Sequence, residues 1–196
     1  MNAPLIPPLP SAPVLAAPRK YTAADVFYLL QIGLIDRAAR FELIDGEFVG
    51  MSPKGRFHEA MREQVAYWLQ SVCTSGFRSL QEHTLVLADG LILQPDFILY
   101  NADRRIADAP LTGAELRLVI EVADTSWTHD AQTKAALYAA HGAPEYWVIE
   151  AVQKTVRVHR AGQSGAPSPG WGDIQDIKAG DAIAPLCAPD APFSTT

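Results

Sequence analysis

Hydrophobic and polar positions recur along this chain with two different periods, and the switches between them lay out most of its elements. Thr22 offers a cap for a helix whose inner face would carry Val26, Leu29 and Leu30. Phe41-Glu42-Leu43-Ile44 and Glu47-Phe48-Val49 flank an Asp45-Gly46 pair, which predicts a hairpin. Residues 57–72 carry the clearest amphipathic pattern. Met61, Val65, Trp68, Leu69 and Val72 recur at helical spacing, and His58 falls on the same stripe one turn earlier. A second hairpin runs through Thr84-Leu85-Val86-Leu87, turns at Asp89-Gly90 and continues through Leu91-Ile92-Leu93 towards Asp96. Leu116 to Val122 is a nearly unbroken apolar run, as expected of a central strand buried on both faces. A helix over 129–141 follows, stopped by His141-Gly142-Ala143-Pro144, and Tyr146–Ile149 with Thr155–Val158 predicts a late strand pair.

The remaining stretches bound the domain. Residues 1–18 contain six prolines and predict a disordered Pro/Ala-rich arm. Residues 19–160 then form the domain, and 161–196 a connector and C-terminal ribbon or tail. Residues 101–114 read as a loop or short helix, 161–170 are rich in Gly, Ser and Pro, and no internal repeat is visible. A chain of 196 residues, 48% hydrophobic and 19% charged, can bury one proper core. No apolar run approaches the about 20 residues that cross a bilayer. The start lacks a basic segment ahead of an uninterrupted apolar one, so no signal peptide is expected and a cytoplasmic location follows. Cys73 and Cys187 are too few and too far apart for a disulfide framework and read as free thiols. The formal net charge of −6 argues against strong non-specific nucleic-acid binding, but excludes neither a local basic groove nor a metal that supplies positive charge.

Two carboxylates inside apolar strands change the picture. Asp96 lies in Gln94-Pro95-Asp96-Phe97-Ile98 and Glu121 in Leu118-Val119-Ile120-Glu121-Val122. A carboxylate so placed loses hydration and needs a cation or donor opposite it. Two of them on neighbouring strands would offer hard oxygen ligands to Mg²⁺ or Mn²⁺. Asp130, Lys134 and Tyr138 share one helical stripe at i, i+4, i+8, directly after the strand bearing Glu121. The bland alternatives are a solvated Asp130–Lys134 pair, a turn at Pro95-Asp96, and a structural ion pair of Glu121 with Arg117 or Lys134. Glu42, Glu47 and His58 are further candidates, the histidine equally readable as a satisfied core residue. Asp124 and Ser126 would orient a metal shell or cap the following helix.

These motifs, in this order, resemble the Uma family of restriction-endonuclease-like proteins within the PD-(D/E)XK nuclease superfamily. The matching stretches are Phe41 to Glu47, Met51-Ser52-Pro53 with His58 downstream, Gln94-Pro95-Asp96, Val119 to Asp124, the Asp130/Lys134/Tyr138 helix, and Gly142 to Val148. The resemblance implies an α/β (α+β) fold, a mixed sheet flanked by helices with an N-terminal hairpin. It implies Asp96 and Glu121 as catalytic residues and metal ligands, with Glu47 beside them, and His58, Asp124, Asp130 and Tyr138 in support. The superfamily's lysine lies two residues after the glutamate, where this chain has Ala123. Lys134 on the following helix is then its substitute.

The expected function is metal-dependent hydrolysis of phosphodiester bonds in nucleic acid, DNA foremost, by an endonuclease. A homodimer would supply the second site that cutting both strands of a duplex needs. Two rival readings stand beside it: a catalytically inactive binding or assembly module built on the same fold, and a hydrolase acting on a small phosphoester.

Overall fold

Side chains of adjacent strands alternate between two cores, and that alternation decides which groups reach the site. The computed structural model describes residues 20–162 and 170–195. The expected arm over 1–18, and residues 163–169 of the expected connector, lie outside the described residues.

Helix α1 (Ala23–Gln31) starts at Thr22, whose hydroxyl accepts from the Asp25 N–H at 3.1 Å while the Asp25 carboxylate accepts from the Thr22 N–H at 3.0 Å. Strands β1 (Phe41–Ile44) and β2 (Glu47–Gly50) form the first hairpin. Asp45 and Gly46 take φ of 50° and 73°, the pair of left-handed residues that a tight hairpin turn requires. Helix α2 (Arg56–Val72) buries His58, Met61, Val65, Leu69 and Val72 along one face. Strand β3 (Phe77–Gln81) follows, unforeseen from the pattern, then the second hairpin of β4 (Leu85–Ala88) and β5 (Leu91–Leu93). After them come β6 (Phe97–Asn101) and β7 (Leu116–Ala123). A π-helical turn over His129–Lys134 runs directly into α3 (Ala135–Ala140). Strands β8 (Glu145–Glu150), β9 (Val156–Gly162) and β10 (Trp171–Ile177) complete the main sheet, and β11 (Ala182–Ile183) pairs with β12 (Phe193–Ser194).

The main sheet has the order β10-β9-β8-β7-β6-β3, and a smaller one the order β2-β1-β5-β4. Every pairing in the main sheet is antiparallel except β7–β8. Parallel neighbours need a crossover, and the helical segment over 129–140 supplies it. Leu118, Ile120 and Val122 of β7 join Met61, Val65, Leu69 and Trp147 in the core under α2. Val119 and Ala123 join Ala131, Ala135, Tyr138 and Leu93 in the core under α3. With a side-chain period of two, Glu121 falls on the α3 side.

Buried polar groups also tie the C-terminal segment down. The fully buried Glu145 accepts hydrogen bonds from Trp147 Nε1 (2.8 Å), Arg160 Nε (2.8 Å) and the Leu186 N–H (2.7 Å). Arg160 also donates to the Ala184 carbonyl at 2.7 Å. The result is a mixed α+β architecture of layered sheets and helices, as the sequence led one to expect. No helix among the described residues is long and apolar enough to cross a membrane.

Candidate active site

Asp96 precedes β6, in the short link through which the chain passes from the small sheet to the main one. Phe97 pairs with Ile120 across the β6–β7 ladder, which sets Asp96 beside the Glu121–Val122 step. The Val122 N–H donates to Asp96 Oδ2 at 2.9 Å and fixes the carboxylate. His58 Nε2 lies 3.3 Å from the same oxygen, while Lys54 Nζ and Arg62 Nε approach Oδ1 at 3.0 and 3.2 Å. Burial pushes the Asp96 pKa up, but the hydrogen bond and charge of His58, the charge of Lys54 and the Val122 N–H outweigh it and hold the group at about 2.

A second centre forms around Lys134. Its Nζ lies 2.9 Å from Glu121 Oε1, 3.0 Å from Glu42 Oε1 and 3.5 Å from Asp130 Oδ1, and all four residues are buried. Glu42 comes from the small sheet and accepts from the Gln94 N–H at 2.9 Å; Glu121 comes from the main sheet, Lys134 and Asp130 from the π turn. Burial pulls the Lys134 pKa down, but Glu121, Glu42 and Asp130 together drive it above the ordinary lysine value, so the ammonium keeps its proton. Glu121 is pushed the other way. Burial raises its pKa well above the carboxylate range, and Asp130, Asp96 and Glu42 add to that against the opposing pull of Lys134. Asp130 is raised as well, by burial first. Tyr138, one turn beyond Lys134, reaches Glu121 Oε1 at 3.5 Å.

The π turn has its own supports. The Ala135 N–H reaches back five residues to the Asp130 carbonyl, which also accepts from the Tyr146 hydroxyl at 2.9 Å. Trp171 Nε1 donates to the Ala135 carbonyl at 2.8 Å. Single π turns of this kind concentrate at functional sites.

Both centres line one cleft of about 290 Å³, walled by the 49–55 segment on one side and the 124–129 segment on the other. Residues 24–182 match a family model described as "Putative restriction endonuclease" and named Uma2. The chain belongs to the Uma2 family. Its structure is similar to a crystal structure described as "a putative nuclease belonging to DUF820" from Anabaena variabilis. The two are 19% identical with a TM-score of 0.65, over 84% of this chain and 92% of the other, a likeness of fold. No curated protein matches.

The Uma2 chain thus gathers Asp96, Glu121, Lys134, His58 and Asp130 around one cleft, with Tyr138 buried behind Glu121 in the core under α3. The solvated Asp130–Lys134 pair fails, since both residues are buried, whereas the ion pair of Glu121 with Lys134 is present at 2.9 Å. Arg117, offered as a partner for Glu121, instead donates to Asn101 Oδ1 at 2.9 Å. Glu47 does not reach the cleft: it is exposed beside the hairpin turn. Glu42, nearer the cleft on β1 and paired with Val49, lies at the ammonium. Asp124 lines the cleft, its carboxylate against Gly55 at the start of α2, and Ser126 donates to Asp130. Ala123, two residues after Glu121, is fully buried in the core under α3. Lys54 and His129, which line the cleft, and Arg62, which contacts Asp96, were not foreseen. Arg62 was the readable one, since it follows His58 by one helical turn.

The fit to a divalent cation rests on donor chemistry. Three buried carboxyl groups face the single ammonium of Lys134, an acidic excess that a dication would relieve. Among the described residues no three His, Cys, Asp or Glu side chains are arranged as a ready-made metal cage. Mg²⁺ does not need one, because it is held through one or two carboxylates and keeps waters and substrate phosphate as its other ligands.

Proposed function

We propose that this chain hydrolyses phosphodiester bonds in nucleic acid, DNA foremost, with Mg²⁺ or Mn²⁺ held by Asp96 and Glu121. One observation carries the reading: the carboxylate just before β6, that of Glu121 on the adjacent β7, and a buried ammonium border the same cleft. Bound between those carboxylates, the ion would supply charge to the scissile phosphate and acidify a water.

The chain's own residues do the rest. Lys134, protonated and fixed against Glu121, holds positive charge where the phosphate becomes more negative on its way to the transition state. A lysine whose pKa is raised suits that role and not proton abstraction. Tyr138 and Asp130 hold Lys134 and Glu121 in register, and the Val122 N–H with His58 orients Asp96. The enclosing 49–55 and 124–129 segments limit how much water reaches the reacting phosphate.

Cleavage of plasmid and single-stranded DNA with Mg²⁺ or Mn²⁺ tests this, comparing the natural chain with Asp96→Asn, Glu121→Gln and Lys134→Met. Loss of cleavage in the carboxylate variants, with their fold retained by circular dichroism, is the expected outcome. Equal cleavage in all four would refute the assignment. One observation favours the rival reading of a non-catalytic module: Asp96 already has Lys54 and Arg62 against it. Calorimetry with Mn²⁺ separates the two, because a module would show no heat that depends on Asp96 and Glu121.

A further inference from the structure

Beside the cleft, three cations converge on one oxygen atom. Arg40 Nη2 lies 3.4 Å and Arg62 Nη1 3.5 Å from Glu82 Oε1, and Lys54 Nζ donates to the same oxygen. The three come from separate segments: the approach to β1, the loop before α2, and α2 itself. Two of the three are shared: Lys54 and Arg62 also approach Asp96, at 3.0 and 3.2 Å, and Arg62 approaches Glu59 at 3.5 Å. Lys54 also lines the cleft and reaches Asp96, so this group adjoins the place where a scissile phosphate would lie.

The geometry around Glu82 is held, not incidental. Its backbone sits at φ 49°, a conformation that costs a non-glycine residue free energy unless its surroundings enforce it. Here the Glu82 N–H donates to the Asp96 carbonyl at 3.2 Å, and the Glu82 carbonyl accepts from Gln94 Nε2 at 3.0 Å. The side chain is 34% exposed and Arg40 40%, so solvent, and hence a ligand, reaches the cluster. The Lys54 hydrogen bond first, then the charges of Lys54, Arg62 and Arg40, hold the Glu82 carboxyl below the ordinary range despite burial. In a chain of net charge −6, this cluster gathers three basic side chains beside the cleft, where a phosphate's charge would be met.

We propose that Arg40, Lys54 and Arg62 form a phosphate-binding site for the nucleic-acid strand flanking the cleft. In the free protein the Glu82 carboxylate occupies it as an internal anion. A backbone phosphate displaces Glu82 on binding, which aligns the strand so that the neighbouring phosphodiester enters between Asp96 and Glu121. The inference rests on the nucleic-acid reading above. It differs from a purely structural ion network in one respect: removing the internal anion should help the ligand.

The test is the fluorescence anisotropy of a labelled single-stranded oligodeoxynucleotide with the full chain, in EDTA so that no cleavage intervenes, across a salt series. Glu82→Gln is expected to bind about threefold tighter at low salt, the scale of one partly exposed ion pair removed. Arg40→Gln and Lys54→Gln are expected to bind more weakly, with the log–log salt slope shallower by about 0.7 for each phosphate that is no longer neutralised. Because tighter binding cannot come from misfolding, Glu82→Gln is the deciding variant. Unchanged or weaker binding by Glu82→Gln, with the natural chain still binding, overturns the site and leaves the nucleic-acid reading standing. No binding by the natural chain in EDTA also overturns the site, while the cleavage assay with Mg²⁺ or Mn²⁺ decides the nucleic-acid reading separately.

Discussion

Replacing Lys134 by methionine keeps most of the side-chain volume and deletes only the ammonium, leaving Glu42, Glu121 and Asp130 buried without their shared cation. Breaking a buried charge cluster in this way costs about 3–5 kcal/mol. The chain can limit the damage by protonating a carboxyl group. At pH 7 that costs about 3.5 kcal/mol for a glutamate whose free pKa is about 4.3, and at pH 5 only about 1 kcal/mol. Glu121 and Asp130 are already raised by burial, and losing Lys134 raises them further. The variant's native state therefore holds more protons than its unfolded state at and above the ordinary carboxyl pKa, and its stability falls as pH rises through that window. Urea unfolding followed by circular dichroism in EDTA should show a deficit, relative to the natural chain, of about 3–5 kcal/mol at pH 7 that is smaller at pH 5. A deficit that is the same at both pH values would refute the reasoning, because it would mean that packing and not charge balance is what the substitution removes.

Three further outcomes follow from the geometry. Asp96, held at about 2 against an ordinary 3.8, has a depressed folded pKa, so its contribution is present above 3.8 and lost as pH falls through about 2. In EDTA the natural chain should lose about 2 kcal/mol across that interval that Asp96→Asn does not lose, measured by acid unfolding; parallel curves would contradict it. Glu145→Ala strands Arg160, the Trp147 indole N–H and the Leu186 N–H, and should cost about 3–5 kcal/mol in urea. Limited proteolysis should then cut within 178–195 before the main sheet, and a tail as resistant as in the natural chain would count against the clasp. Gly113→Ala drives a methyl group into the His141 carbonyl oxygen behind α3, and should destabilise by about 1–3 kcal/mol in thermal melts despite an ordinary backbone conformation.

The hairpins were legible because Asp-Gly pairs interrupt alternating runs, and α2 because its apolar stripe is long and uninterrupted. Strand β3 was not, since Phe77-Arg78-Ser79-Leu80-Gln81 lies at the edge of the main sheet, where polar side chains are tolerated on either face. Asp96, Glu121 and the Asp130–Lys134–Tyr138 stripe could be read because a charged group beside or within an apolar run, or three polar groups on one helical face, stands out locally; Asp96 itself lies just before β6 and not in a strand. Glu42 and Glu47 could not be ranked from the pattern. The hairpin register puts them on one face, and only their separation of two residues along the strands, about 7 Å, decides which reaches the ammonium. Lys54 and Glu82 were beyond reach for a different reason. Each sits in an ordinary local context, and only the tertiary packing of α2 against the chain around β3 and β6 brings them together.

The ammonium of Lys134 joins parts of the molecule that are made separately. Glu42 arrives with the first hairpin, Glu121 with a central strand of the other sheet, and Lys134 itself with the helix that crosses over that sheet. No fragment ending before residue 134 contains the full set, and none holding only one sheet can assemble it. The proposed hydrolytic centre therefore cannot assemble on a ribosome until the nascent chain has passed residue 134.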